Sequence, residues 1–328
     1  MKPLLLLLPI IALLFMATTL PCRGQEITRK YHWVYDNRTY DMDLQIPKGL
    51  YDYFKKKPRV EDYTIYVTDP QDDGLINFLI SLFKKYAREN KLNEYDLFNT
   101  MVAWVQSLPY TSDSVTTGFD EYPRYPVETL VDNGGDCEDT SILLASILKA
   151  MGYPTVLLAP TKHMAVGVAV RQEFVKNAPW PIHVTPFEMY QYAYLETTGD
   201  GWKIGMVPPQ YKNDRFLVFS LVPRAAIKVL SVQSRIHPEG QIPVVDVTLE
   251  NLGSSPSVVT VRLAFDAGPG KVPYATKDSK ALAVPPGNRG TFTLSLPQPP
   301  TGVRTRLLIQ ILSDNRKVDE WASGWQNI

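Results

Sequence analysis

The chain has 328 residues, which is enough for two domains of ordinary size that each bury their own core. Its 34 basic and 34 acidic side chains give a formal net charge of zero, so no excess of positive charge indicates nucleic-acid binding. Cysteine occurs only at Cys22 and Cys137. We expect Cys22 to belong to a leader segment, so Cys137 is a single free thiol with no disulfide partner.

The first 24 residues have the layout of a secretory signal peptide. Lys2 supplies a positive charge, residues 4–16 are almost continuously apolar, and residues 18–24 become small and polar. Cleavage after Gly24 is the preferred interpretation, with an uncleaved membrane anchor or lipid attachment at Cys22 as alternatives. We therefore expect an exported protein, secreted or anchored to the outer face of the cytoplasmic membrane, that meets the membrane only through this segment.

Apolar spacing predicts a hairpin and two helices ahead of the thiol. Residues 26–46 alternate in the manner of two paired strands, and residues 47–72 are expected to be irregular. Residues 73–90 and 93–107 carry apolar side chains at helical spacing. A long polar loop follows at 108–125, and a loop of this length in a compact domain is usually functional.

Cys137 lies at the predicted start of a buried helix. Asp136 is a suitable N-cap residue, and Glu138 and Asp139 place acidic groups in the first turn. Six of the seven residues in 142–148 are apolar or alanine, so little of this helix can face water. A thiol at a helix N-terminus is typical of a cysteine nucleophile, because the helix amides favour the thiolate. A small buried cysteine that only packs is the alternative.

Two strands after this helix each carry a polar side chain that could reach the thiol. Residues 163–170 alternate with a period of two, and His163 shares its face only with small residues, which leaves room for the helix. The following strand, residues 190–196, ends at Glu196. We expect the helix and the two strands to bring Cys137, His163 and Glu196 together at one sheet edge.

These three elements resemble the transglutaminase-like superfamily of thiol enzymes. The Gly-Asp-Cys-Glu-Asp segment at 135–139, His163, and the Glu-Thr-Thr segment at 196–198 are similar to the family's Gly-x-Cys-x-Asp, His-Ala-Trp and Asp-Pro-Thr. The resemblance covers about residues 30–215. It implies an α+β, papain-like domain with the nucleophile at a helix N-terminus packed on an antiparallel sheet. In that domain Cys137 is the nucleophile, His163 its base, and Glu196 the carboxylate that orients the imidazole.

The sequence departs from the family pattern at two places. Glu196 stands where aspartate is usual, and Met-Ala follows His163 in place of Ala-Trp, so the substrate class does not carry over. Asp200 is a rival third member, but it lies in a Gly-Asp-Gly turn typical of an exposed loop. His183 is a rival base, but its irregular, proline-flanked stretch favours a loop role.

Two further predictions concern groups around the thiol. The amide of Cys137 is the natural oxyanion donor, and Gln106 or Tyr110 could supply a side-chain donor. Asp136 and Glu138 would raise the pKa of the thiol unless they point away or bind a cation. Bacterial transglutaminase-like cysteine proteinases carry a similar Asp-Cys-Glu and use calcium there. Calcium at these two carboxylates is therefore a hypothesis beside simple helix capping, and no other cofactor is expected.

The last part of the chain changes character. After residue 222, short strands alternate with turns and no helix is predicted, which is the pattern of a β-sandwich. This pattern is similar to the immunoglobulin-like modules appended to exported microbial proteins, and no titratable cluster indicates chemistry there. We predict a leader at 1–24, a catalytic domain at 25–222, and an all-β spacer or adhesion domain at 223–328.

The function hypothesis is an exported thiol enzyme that hydrolyses peptide or amide bonds of protein or peptide substrates. A Cys-His-Glu triad would act through a thioester intermediate. A transamidating acyl transferase and a catalytically silent binding module that keeps the fold are the alternatives. Inactive relatives usually lose the cysteine or the histidine, and both are present here, which favours an enzyme.

Overall fold

The structure is a computed structural model, and it describes residues 24–112, 122–176, 178–236 and 243–328. Apart from Gly24, the predicted leader at 1–24 lies outside the described residues. The middle of the predicted polar loop, residues 113–121, also lies outside them.

The described part contains seven α-helices and one short 3-10 helix, Pro209–Tyr211. The α-helices are α1 Lys48–Lys55, α2 Tyr63–Thr68, α3 Asp73–Glu89, α4 Glu94–Gln106, α5 Pro126–Asp132, α6 Cys137–Ala150 and α7 Gln172–Val175.

Seven strands precede residue 222 in the described part: β1 Glu26–Tyr35, β2 Arg38–Pro47, β3 Thr155–Ala159, β4 Ala165–Val168, β5 Val184–Phe187, β6 Tyr190–Leu195 and β7 Leu217–Ser220. Nine strands follow it: β8 Ile227–Ile236, β9 Pro243–Asn251, β10 Ser257–Asp266, β11 Ala275–Asp278, β12 Leu282–Val284, β13 Arg289–Ser295, β14 Arg304–Ser313, β15 Arg316–Ala322 and β16 Gln326–Asn327.

The N-terminal elements follow the predicted periods. Strands β1 and β2 pair as an antiparallel hairpin around Asp36 and Asn37, whose positive φ angles of 49° and 57° suit a tight turn. Helices α3 and α4 confirm the two helices predicted from apolar spacing. The expectation of irregular structure at 47–72 is wrong, because the short helices α1 and α2 form there. Both are too short to show a repeated apolar stripe.

Helix α6 is the centre of this part of the molecule. Every residue from 138 to 148 is buried, so the predicted burial of the Cys137 helix is confirmed. Strands β3 and β4 contact this helix, and so do helices α2, α3, α4 and α5. A helix surrounded in this way needs no polar face, which explains its nearly continuous apolar sequence.

A five-stranded antiparallel sheet lies against the helix, in the order β5-β6-β4-β3-β7. Strands β4 and β6 are neighbours, and Val166 lies opposite Leu195. The residues just before β4 and just after β6 are therefore at the same edge of the sheet. This register places His163 and Glu196 on neighbouring segments of the sheet. The fold is α+β, as predicted.

Two further antiparallel sheets follow residue 222. One has the order β13-β9-β8, and the other has the order β11-β10-β14-β15, with β12 on β10 and β16 on β14. Their apolar faces share one core, to which Val247 of β9 and Val261 of β10 both belong. The described residues after 222 contain no helix. No helix in the described part of the chain is long and apolar enough to cross a membrane.

Asn251 is a buried polar residue that connects several backbone segments beside this second core. Its side chain is fully buried, and its Oδ1 accepts hydrogen bonds from the amides of Ala226 at 3.2 Å and Gly253 at 3.0 Å. Its Nδ2 donates to the carbonyls of Ser255 and Val284, both at 2.9 Å. One side chain therefore satisfies four backbone groups at the start of the second part of the chain.

We expect Asn251→Ala to lower the free energy of unfolding by about 3 kcal/mol, because it leaves buried backbone groups without partners. Urea unfolding monitored by circular dichroism measures this loss. Asn288→Ala, at an exposed position in the neighbouring turn, is the control and should change the free energy by less than about 0.5 kcal/mol. Equal effects of the two substitutions would contradict the assignment.

Candidate active site

Two glycines allow the chain to enter helix α6 in a narrow space. Gly134 has a φ of 144°, and a Cβ atom there would lie 2.3 Å from the carbonyl oxygen of Pro109. A Cβ on Gly135 would lie 2.4 Å from a carboxylate oxygen of Asp139. Neither position has room for a side chain. The two glycines therefore fix the approach of the backbone that presents Cys137 as the first residue of the helix.

A buried ion pair holds this helix start in place. The carboxylate of Asp139 accepts hydrogen bonds from the amide of Arg124 at 2.7 Å and the amide of Asp136 at 3.3 Å, and from the Arg124 guanidinium. Both side chains are almost completely inaccessible to solvent. Burial raises the pKa of the Asp139 carboxyl to about 7, and the Arg124 guanidinium opposes that rise. Sequence analysis did not identify Arg124.

Hydroxyl groups connect the helix to both strands of the site. The Oγ1 atoms of Thr140 and Thr197 lie 2.9 Å apart, and the Oγ atom of Ser141 lies 3.0 Å from the same Thr197 oxygen. Ser141 also donates to the carbonyl of Met164 at 3.1 Å. Met164 follows His163 and Thr197 follows Glu196, so these bonds fix the helix against the chain on both sides of the predicted pair.

His163 and Glu196 form a buried pair. The Nε2 atom of His163 lies 3.0 and 3.1 Å from the two carboxylate oxygens of Glu196. The carboxylate also accepts from the amides of Thr197 and Thr198 at 3.0 Å, from the Thr198 hydroxyl at 2.7 Å and from the Tyr194 hydroxyl at 2.7 Å. The side chain of Glu196 is thus fixed in one orientation.

The partners of Glu196 determine its charge. Burial alone would raise the pKa of this carboxyl, but the hydrogen bond and charge of His163 and the hydrogen bonds of Thr198 outweigh burial and lower the pKa to about 2. Glu196 is therefore a carboxylate at neutral pH. An ionised carboxylate on Nε2 stabilises an imidazolium and leaves Nδ1 as the ring nitrogen available for chemistry.

Tyr211 supports the imidazole from one face. Its ring stacks on His163 with 4.8 Å between centroids and an angle of 7° between planes. Tyr211 is the last residue of the 3-10 helix that begins at Pro209. Sequence analysis did not identify Tyr211, because a single turn of this kind has no periodic signature.

The thiol of Cys137 points to its own neighbour. Its Sγ atom donates to a carboxylate oxygen of Glu138 at 3.2 Å. Burial raises the pKa of the thiol, the charge and hydrogen bond of Glu138 raise it further, and the backbone amide of Met164 lowers it by less. The thiol is therefore protonated in this geometry. The predicted ion pair with His163 is not formed here, because within the described residues no hydrogen bond joins Sγ to His163 and the thiol donates to Glu138.

The two predicted oxyanion donors have different surroundings. The Nε2 atom of Gln106 donates to the carbonyls of Glu196 at 2.9 Å and Trp202 at 3.0 Å, so both of its N–H groups are used. The prediction for Gln106 is therefore corrected: this buried amide connects the backbone of Glu196 to that of Trp202. Tyr110 pairs with Gly135 through its backbone, and its side chain is 62 % exposed. Its role as a donor stays a prediction.

The carboxylates around the thiol fall short of a calcium site. Calcium takes six to eight oxygen ligands. Asp136 and Glu138 are both buried, but the third carboxylate of this turn, Asp139, is paired with Arg124. No group of three or more His, Cys, Asp or Glu side chains within the described residues is arranged to hold a metal ion. Calcium binding at these carboxylates stays a prediction.

The rival residues lie apart from the pair. Asp200 is exposed in its turn. The ring of His183 contacts Phe216, with 5.2 Å between centroids, and has no hydrogen bond to Glu196. The structure thus brings His163 and Glu196 together and leaves Asp200 and His183 outside the pair.

No protein-family model matches the chain, and no curated protein matches it. Among solved structures, red sea bream transglutaminase is similar over 87 % of this chain and 60 % of its own, with 11 % identity and a TM-score of 0.26. A β-D-mannosidase from Dictyoglomus thermophilum is similar over 52 % and 26 %, with 12 % identity and a TM-score of 0.22. A β-glucosidase from Streptomyces venezuelae is similar over 30 % and 15 %, with 14 % identity and a TM-score of 0.21. The chain spans less than two thirds of each of these proteins.

We expect Arg124→Met to lower the free energy of unfolding by about 3–5 kcal/mol, because it leaves the buried Asp139 without its counter-charge. Arg235→Met is the matched control. Arg235 forms an exposed ion pair with Asp246 at 3.2 Å, and losing such a pair costs at most about 1 kcal/mol. Urea unfolding of both variants measures the difference, and equal losses would contradict the role of Arg124.

We expect Glu138→Gln to lower the pKa of the Cys137 thiol, because it removes the negative charge that favours the protonated form. A hydrogen bond to a charged group is worth about 1.5–3 kcal/mol, so alkylation by iodoacetamide at pH 7.5 should become about tenfold faster. The pH dependence of the alkylation rate measures the change. Glu188→Gln, at an exposed position, should leave the rate unchanged. A rate that stays constant or falls in Glu138→Gln would refute the expectation.

Proposed function

We propose that the chain is a transglutaminase-like thiol enzyme that hydrolyses peptide or amide bonds through Cys137, His163 and Glu196. The observation that carries this proposal is the buried pair of His163 and Glu196, held against the helix that begins with the thiol. Met164, the residue after His163, connects the histidine segment to the helix of Cys137. Its amide faces Sγ of Cys137, and its carbonyl accepts a hydrogen bond from Ser141 of the same helix.

The first step activates the thiol. For this step Sγ leaves the carboxylate of Glu138 and approaches Nδ1 of His163. Nδ1 takes the thiol proton, and Glu196, already hydrogen-bonded to Nε2, stabilises the imidazolium that results. The low pKa of Glu196 supports this role, because a carboxylate that stays ionised does not compete with His163 for the proton.

The thiolate then attacks the substrate carbonyl carbon. As the C–S bond forms, the carbonyl electron pair moves to oxygen, and the amide of Cys137 donates a hydrogen bond to that oxyanion. The position of Cys137 as the first residue of the helix supports this role. The tetrahedral intermediate collapses, the C–N bond breaks, and the leaving amine takes the proton from Nδ1. Water activated by His163 hydrolyses the thioester and regenerates the thiol. An amine in place of water would give transamidation from the same thioester.

A second candidate is a binding module that keeps the fold without catalysis. The hydrogen bond between Cys137 and Glu138 favours it, since a thiol held protonated does not attack a carbonyl. In this case His163 and Glu196 would have only a structural role. Thiol reactivity separates the two candidates.

The remaining expectations complete the proposal. The leader at 1–24 directs export, and the membrane is met only through it. Residues 223–328 act as an immunoglobulin-like spacer or adhesion module, and the two sheets that share one core support this interpretation. Protein or peptide substrates are the proposed partners.

The test is the pH dependence of Cys137 alkylation by iodoacetamide in residues 25–328. In the enzyme, the thiol should titrate below the value of about 8.5 for a free thiol, and His163→Ala should abolish this shift. Glu196→Gln should weaken it, because the imidazolium loses its carboxylate. His32→Ala is the matched control, since His32 is an exposed histidine on the hairpin. A thiol pKa above about 8.5 in all four proteins would contradict the enzyme and support the binding module.

A further inference from the structure

We propose that a cavity bordered by the turn that stacks on His163 binds a large apolar side chain of the substrate. This inference rests on the proposed function and names its substrate class: peptides with a bulky apolar or aromatic residue on the acyl side of the cleaved bond. The cavity has a volume of about 570 Å³. Its walls include Trp180, Ile182, Trp202, Met206 and Val207.

One wall of the cavity is connected to the catalytic base. Pro209 lines the cavity and begins the 3-10 helix that ends at Tyr211. The ring of Tyr211 stacks on His163 at 4.8 Å. A single turn of chain therefore separates the cavity from the imidazole.

A second wall is connected to the carboxylate residue. The carbonyl of Trp202, which lines the cavity, accepts from Nε2 of Gln106 at 3.0 Å. The same Nε2 donates to the carbonyl of Glu196 at 2.9 Å. One residue on each side, Tyr211 and Gln106, therefore links the cavity to the segments of His163 and Glu196, and the proposal takes this cavity as the pocket for a neighbouring substrate residue.

The chemistry of the lining selects an apolar group. Two indole rings, a thioether and aliphatic side chains form most of the walls. The one indole donor of Trp180 is bonded to the carbonyl of Ile204 at 2.9 Å, so this ring offers mainly carbon surface to a ligand. Pockets of about 300–1,000 Å³ with such walls bind apolar groups. Lys212, at the exposed rim, disfavours a basic side chain.

The probes are N-acetyl-phenylalanine chloromethyl ketone and its alanine counterpart. In each, the thiolate of Cys137 attacks the methylene carbon, a C–S bond forms, the C–Cl bond breaks and chloride leaves. We expect the phenylalanine compound to inactivate the full chain roughly tenfold or more faster, because burial of an aromatic side chain accompanies alkylation. Iodoacetamide, which has no side chain, reports the reactivity of the thiol alone.

Met206→Trp fills the cavity and should reduce the preference for phenylalanine to less than about threefold, with each ketone rate divided by the iodoacetamide rate of the same protein. Met189→Trp is the matched control. Met189 is 83 % exposed on the turn between β5 and β6, outside the cavity, and its substitution should leave the preference unchanged. If Met206→Trp does not fold, as judged by circular dichroism, the smaller change Met206→Phe is measured in the same way.

The outcomes separate this inference from the function beneath it. A thiol that reacts with iodoacetamide as the enzyme requires, but shows no preference between the two ketones, overturns the pocket and leaves the proposed function standing. A preference that persists in both Met206 variants also overturns the pocket. A thiol that fails the iodoacetamide titration overturns the proposed function and the pocket with it.

Discussion

The buried carboxylate of Asp139 is the constraint on which the site depends. It binds two backbone amides and one guanidinium from two separate segments, and it occupies the space that a side chain on Gly135 would need. The helix start, the preceding loop and the segment of Arg124 are thus fixed by one group. Because Cys137 is the first residue of this helix, the position of its backbone follows directly from that ion pair.

The two carboxylates of the candidate site, Glu138 and Glu196, have different partners. On one side Glu138 accepts the hydrogen bond of the Cys137 thiol and favours its neutral form. On the other side Glu196 is ionised and hydrogen-bonded to Nε2 of His163. The proposed enzyme requires Sγ to leave Glu138 for His163, which begins with a change of rotamer at Cys137.

The sequence was informative where a period or a motif exists. The apolar run at 142–148 predicted the buried helix, and alternation around His163 predicted a strand beside it, although that strand begins only at Ala165. Contacts that depend on backbone atoms had no such signal. Gln106 was predicted as a possible oxyanion donor. Its actual partners are backbone carbonyls, and the identity of a residue does not reveal which carbonyls it will contact. Arg124 and Asp139 are separated by helix α5, and no motif marks them as partners. The direction of the thiol is a rotamer, which no sequence pattern specifies.

The turn that begins at Pro209 has a consequence for how binding and chemistry relate. Its first residue borders the cavity, and its last residue holds the ring of His163. A shift of this turn of a few tenths of an ångström would alter the pocket wall and the imidazole plane together. Binding in the pocket would then be coupled to the orientation of His163. The free energy by which binding favours one imidazole orientation equals the free energy by which that orientation favours binding. A substrate that fills the pocket would thereby select the imidazole orientation that its own cleavage requires.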